Sequence, residues 1–173
     1  YALYYFGDFP TYQPISSSTF ERPIYVGEAT PKGGRKGGWG LGLAPGTVLS
    51  SRLAQHRRSL MECENLRAED FFVRYLVVDD VWIPLAESLV IEWFMPVWNT
   101  ILDGFGNHDP GGKRYSGQRP AWDTVHPGRS WAAKLQPNAR SRDELLQLVG
   151  RALAGDPSVA RTVGAEPVSL EDA

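Results

Sequence analysis

ESLVIEWFMPVWN, residues 87–99, decides how this chain is read. Pro84, just upstream, suits the first turn of a helix, where a missing N–H has no partner to lose. From it, PLAESLVIEWFM is predicted to run as one helix. At about 100° per residue, Glu87 is flanked by Val90, Ile91 and Phe94, all within roughly 60° of it. Glu92 instead falls beside Ser88 on a narrow polar strip. Burying an unpaired carboxylate on an apolar face is costly. A cation, a metal ion or a hydrogen-bond network must offset it. The plain alternative is a boundary Glu paired with an arginine, and the rest of the chain weighs against it.

Outward from this helix, residues 1–6 (YALYYF), 23–27 (PIYVG) and 71–78 (FFVRYLVV) are aromatic or β-branched runs that read as strands. TVLSSRLAQHRRSLMECEN reads as a helix with Thr47 at its N-cap. Its Leu49, Leu53 and Leu60 fall within about 40° of arc. Arg52 and His56 lie one turn apart beside that stripe. SRDELLQLVGRALAG reads as a closing amphipathic helix, with Ser141 and Glu144 at capping-box positions. The fold class expected is α/β (α+β), a small three-stranded mixed sheet flanked by helices, with a loop-rich C-terminal extension.

The 173 residues suffice for one domain with a real core. No apolar run approaches the roughly 18 residues of a membrane span, and no signal peptide is visible. Cys63 is the single cysteine, so no intrachain disulfide can form and a cysteine-built zinc site is excluded. A reducing, cytoplasmic setting is expected. The net charge of −2 conceals segregation, because residues 32–142 carry 15 Lys/Arg against 11 Asp/Glu. A basic centre between acidic ends is compatible with nucleic-acid binding. The chain opens without Met, directly in a strand, so natural sequence is expected to precede Tyr1. Residues 156–173, with scattered Pro, Gly and acids, read as a loosely ordered tail.

Two loops stand out. Residues 28–46 hold GGRKGGWGLG with Lys32, Arg35 and Lys36. The glycines match neither the GxxxxGK(S/T) phosphate loop nor a GxGxxG turn, leaving a flexible loop or a DNA-touching arm. Residues 104–134 carry Lys113, Arg114, Arg119, Arg129 and Lys134 among aromatics and glycines. So long a stretch with few helix or strand signals points to function, and its tryptophans argue against disorder.

In chain order the pieces are Tyr1 or Tyr4, then Tyr25-Val26-Gly27, Arg52 with His56, Glu87, and Asn99 shortly after Pro96. This set resembles the GIY-YIG nuclease superfamily over about residues 1–100. YVGEA stands for the second strand motif, SRLAQH for the arginine helix, and ESLVIEWFMPVWN for the glutamate and proline–asparagine signature. GNHDPGGKR and WDTVHPGRSWA resemble the extension of the type II restriction endonucleases of this fold, which recognise GC-rich palindromes. The first motif begins at Tyr1 itself, and the gap between the two tyrosine motifs is long.

The resemblance implies catalytic roles for Tyr1, Tyr25, Arg52, His56, Glu87 and Asn99. Glu87 would hold Mg²⁺, with Mn²⁺ as a substitute, and water and phosphate would complete the coordination. Arg52 would clamp the scissile phosphate in its donor fork. The first tyrosine would take the proton of the attacking water with help from His56. Tyr25 and Asn99 would position groups by hydrogen bonding. Tyr1 and Tyr4 point to opposite faces of a regular strand, and Tyr5 shares the face of Tyr1. The resemblance favours Tyr1, since the family's pattern often has another aromatic three residues on, which Tyr4 supplies; Tyr5 is a lesser alternative.

DNA contact is expected from Lys32, Arg35, Lys36, Lys113, Arg114, Arg119 and Arg129, the arginines of 104–134 entering a groove on a stretch too irregular to be core. Residues 1–100 form the catalytic part, and 101–155 the extension and final helix of the same domain. The expected protein is a Mg²⁺-dependent, sequence-specific endonuclease for double-stranded DNA, acting as a homodimer on a palindrome. Three other readings compete. One is a ββα-metal fragment at Asn107, His108 and Asp109 with His126. The others are a repair or mobile-element nuclease of the same superfamily and a non-catalytic DNA-binding domain. GNHDPG could equally be a tight turn whose His and Asp bond the backbone.

Overall fold

A computed structural model describes residues 1–30 and 47–159. The glycine-rich arm with Lys32, Arg35 and Lys36 lies outside the described residues, as does the tail beyond Val159.

The sheet is three-stranded, with β1 (Ala2–Tyr5) between β2 (Tyr25–Val26) and β3 (Phe71–Arg74). Both pairings are antiparallel, so the sheet is not mixed as expected. The third strand is also shorter than FFVRYLVV suggests. Arg74 lies opposite Ala2, where β1 begins, and past it Tyr75, Leu76 and Val77 are exposed. A strand without a partner cannot keep its backbone paired, whatever its β-propensity.

Among the described residues the sheet is accompanied by α1 (Val48–Glu62), α2 (Ile83–Phe94), the short α3 (Val97–Thr100) and α4 (Ala121–Val125), and α5 (Arg142–Leu153). Thr47 holds the N-cap position of α1, but its side chain makes no capping bond. Ser141 and Glu144 form a complete capping box at α5, whose Leu145, Val149 and Leu153 are buried. Pro84 sits in the first turn of α2, which ends at Met95 in the left-handed region with φ 46°. No residue of α2 is fully buried. Glu87, Val90 and Ile91 are half-buried on its inner side. Leu85, Leu89 and Trp93, the last 84 % exposed, line its outer side. α2 is therefore a peripheral helix, apolar nearly all round, rather than a core helix with one buried acid. None of the described helices is long and apolar enough to cross a membrane.

The core corrects the reading of residues 104–134 as a groove-entering stretch. Phe105, Ala121, Trp122, Val125 and Ala132 are all buried there. Trp98 of α3 packs its ring on Phe105 at 4.6 Å and on Trp122 at 5.6 Å, so the extension and the strands share one hydrophobic cluster. Even Val159, at the start of the supposed tail, is buried.

A polar chain runs through this core. Trp98 Nε1 donates to Tyr12 Oη at 2.8 Å, and Tyr12 Oη meets His126 Nε2 at 2.5 Å. His126 Nδ1 faces Asn65 Oδ1 at 2.8 Å. Only one assignment serves all three contacts: Nδ1–H donates to Asn65, and Nε2 accepts from Tyr12. Burial holds the His126 pKa down to about 3, against roughly 6.5 when unfolded. The unfolded chain therefore binds a proton that the folded one refuses. This contribution to stability is intact above about pH 6.5 and is lost as pH falls toward 3. In denaturation series across that window, His126→Gln should show a flatter acid limb than the parent. Parallel curves would refute the assignment.

Candidate active site

Tyr1 precedes β1 and continues its pairing. Its backbone nitrogen donates to Gly27 O at 2.9 Å, and its carbonyl accepts from Gly27 N at 3.0 Å. This doubling back lays the Tyr1 ring over Gly27. A Cβ there would stand 2.5 Å from Tyr1 Oη and 3.0 Å from Tyr25 Cε1. The glycine of YVG is thus required by close approach of two phenols. Tyr5 is instead a core residue whose hydroxyl accepts the Phe9 N–H at 2.8 Å. Tyr4 points the other way, against Phe20 and the guanidinium of Arg74. Of the three tyrosines, Tyr1 is the one at the site.

α1 brings Arg52 and His56 to the same place, because residues four apart share a helix face. His56 Nε2 lies 2.6 Å from Tyr1 Oη. Its ring stacks on Phe105 at 4.6 Å and meets Tyr25 at 5.2 Å. Burial first, then the Arg52 charge, holds the His56 pKa down to about 3. The imidazole is therefore neutral at physiological pH, and its free lone pair can accept the Tyr1 proton. The Tyr1 phenol is pushed well above its ordinary value by burial and by Tyr25, with Arg52 pulling the other way. Tyr25 is raised by burial, eased by Arg52 and raised further by Glu87. Burial thus leaves both phenols protonated, with the Arg52 charge opposing it.

Glu87, on the inner side of α2, completes the cluster. Burial and the nearby Glu28 carboxylate raise its pKa, while a hydrogen bond from the Glu28 backbone and the Arg52 charge lower it. A half-buried carboxylate beside a second carboxylate, Glu28, is a fitting ligand for a hard divalent cation. Glu92 is exposed.

Asn99 occupies a different position from the reactive groups. Its Oδ1 accepts the Val26 N–H and its Nδ2 donates to Val26 O, both at 2.8 Å. With its amide committed to the strand beside Tyr25, Asn99 orients rather than reacts.

Among the expected DNA contacts, Arg129 is corrected. It is 2 % exposed and bound to Asp123 in the core, so it cannot reach a base. Arg119 is half-buried, with Nε on Ala132 O at 3.1 Å. Lys113 and Arg114 are exposed on a short turn, Gly112–Arg114. The ββα-metal reading also fails, because His126 is in the core while His108 lies beside Arg52. The bland reading of GNHDPG fits in part, since Asp109 Oδ1 accepts the Gly111 N–H at 2.8 Å. Missed on sequence were Phe105 and Gly106, which wall the site from the extension. A Cβ on Gly106 would lie 3.1 Å from Tyr25 Oη, and the GFG triplet was the available signal.

No curated protein matches the chain significantly. The family model described as the Eco29kI GIY-YIG domain matches residues 1–153, strands, site and extension together. With the two tyrosines, Arg52, His56 and Glu87 converging on one point, the chain belongs to the Eco29kI GIY-YIG domain family and is a DNA endonuclease of GIY-YIG type.

Proposed function

We propose that this nuclease is a type II restriction endonuclease, Mg²⁺-dependent and cytoplasmic, cutting both strands of a palindromic, GC-rich site in double-stranded DNA as a homodimer. The observation that carries the chemistry is the 2.6 Å contact between Tyr1 Oη and the neutral His56 Nε2. It sits beside an arginine and a half-buried carboxylate. Water attacks the phosphorus in line while its proton passes to Tyr1 Oη and the Tyr1 proton to His56; the opposite P–O bond breaks, and the departing oxygen takes a proton from solvent. The phenol thus relays a proton without resting as a phenolate, which its raised pKa forbids. Arg52 offsets the charge growing on the phosphoryl oxygens. Glu87 would hold Mg²⁺, whose Lewis acidity supplies charge neutralisation at the phosphate when bound.

The restriction reading rests on the family, whose model spans the extension as well as the strands and the site. A single active site cuts one strand per encounter, so symmetric cutting calls for two subunits on a two-fold site. Of the expected DNA contacts among the described residues, Lys113 and Arg114 are the exposed ones. Arginine is the usual bidentate reader of guanine. Arg119, tied to backbone carbonyls, is a scaffold residue in this reading.

Plasmid and genomic DNA with Mg²⁺ should give discrete fragments, and chelation should stop the reaction. Smears would mean a nonspecific nuclease, intact DNA a binding domain, and a monomer on cognate DNA would overturn the dimer. Across a series of single base-pair changes in the cut site, Arg114→Ala should lose about 1–3 kcal/mol and relax at one position. Uniform weakening would make Arg114 a phosphate contact.

A further inference from the structure

Arg129 is buried with all of its donors engaged. Nε and Nη2 bind the Asp123 carboxylate at 2.6 and 2.5 Å. Nη1 donates to the carbonyls of Phe105 and Asn107, each at 3.1 Å, and Nη2 also donates to Gly104 O at 2.9 Å. The guanidinium lies between the rings of Trp122 and Trp131, 4.7 Å from each. A buried ion pair is seldom the most stabilising filling for such a space, since apolar side chains often do as well. What this one does that apolar side chains cannot is hold three carbonyls of a single turn.

The other side of that turn is the active site. Phe105 stacks on His56. Gly106 faces Tyr25 Oη, and a Cβ on it would lie 3.6 Å from Arg52 Nη2. His108 Nε2 stands 3.4 Å from Arg52 Nη1, which also donates to Gln55 Oε1 at 3.3 Å. Such contacts are often long before substrate tightens them. Two acceptors on Nη1 hold the guanidinium from behind. Nη2, on the side of Gly106 and Tyr25, is thereby turned toward the place where a phosphate would sit. Asn107, His108 and Asp109 also form one wall of a cleft of about 240 Å³, whose other wall is Gln55, Arg58, Ser59 and Glu62 of α1.

We propose that His108 is a positioning residue of the nuclease, accepting a hydrogen bond from Arg52 and fixing its guanidinium for the phosphate, on a turn that the Arg129–Asp123 pair holds in place. This rests on the nuclease reading above and adds a residue outside the tyrosine, arginine and glutamate set. Arg129 variants would disturb the core, so the test falls on His108.

Single-turnover cleavage with Mg²⁺ and DNA affinity with Ca²⁺ should be measured for wild type, His108→Ala and His108→Gln. The alanine variant should cut about 10-fold more slowly, with Kd within about twofold of wild type. Glutamine keeps an acceptor and should restore most of the rate. Imidazole ¹⁵N spectra give a readout independent of cleavage. His108 Nε2 should be the unprotonated nitrogen, and Arg52→Gln should shift it. Wild-type rate in His108→Ala, a rate loss matched by weaker binding, no rescue by glutamine, or a protonated Nε2 in the neutral ring would each overturn the proposal. A wild type that cuts no DNA would instead overturn the nuclease reading, while the spectra still decide the His108–Arg52 contact.

Discussion

Glu87→Gln is expected to abolish cleavage, by at least about 10³-fold if the cation supplies several kcal/mol of charge stabilisation. The amide has nearly the same shape but cannot neutralise a divalent cation. Because Glu87 is half-buried and its carboxyl is already raised by burial and by Glu28, removing its charge should not cost stability. Thermal denaturation should show the variant as stable as the parent or slightly more so, and DNA binding should persist. Glu92→Ala, five residues along the same helix but exposed, should cut normally. Equal behaviour of the two variants would break the assignment of Glu87 to the metal.

Arg52 should show the second large effect. Its side chain is held by Gln55 and His108 and influences the titration of Tyr1, Tyr25, His56 and Glu87 alike. Arg52→Ala should lower the single-turnover rate by about 10²–10³-fold, the usual loss when a preorganised donor to a developing charge is removed. Arg52→Lys should recover little, since an ammonium cannot offer two parallel N–H groups. Full activity in Arg52→Ala would remove α1 from the phosphate, and full activity in Arg52→Lys would mean that a point charge suffices there.

The local signals in the sequence were the dependable ones. Pro84 marked the start of α2, Ser141 and Glu144 marked α5, and the spacing of Arg52 and His56 set both on one face of α1. These depend on neighbours within one turn of helix. What was not legible depends on partners far along the chain. The end of β3 is set by where β1 starts to pair. Tyr1 was already favoured, but what parts it from Tyr5 is His56 and Gly27 on one side and Phe9 on the other. Arg129 looked like a DNA contact because a basic residue in an irregular stretch is usually solvated. Its partner Asp123 and three turn carbonyls make it a core residue instead. Irregular backbone was mistaken for exposed backbone, although a few well-placed side-chain donors can satisfy it inside.

Asn99 also bears on how copies of the protein can meet. β2 is an outer strand, and an outer strand normally offers open N–H and C=O groups to any strand that drifts past. Here Asn99 occupies both groups of Val26, and the Trp98 N–H occupies Ile24 O at 3.0 Å. The start of α3 thus stands in for the missing neighbour and seals that margin of the sheet. A second molecule cannot lengthen the sheet there without first prising Asn99 away, which would also release the strand that carries Tyr25. In the proposed dimer the contact between subunits therefore falls elsewhere than at this edge of β2.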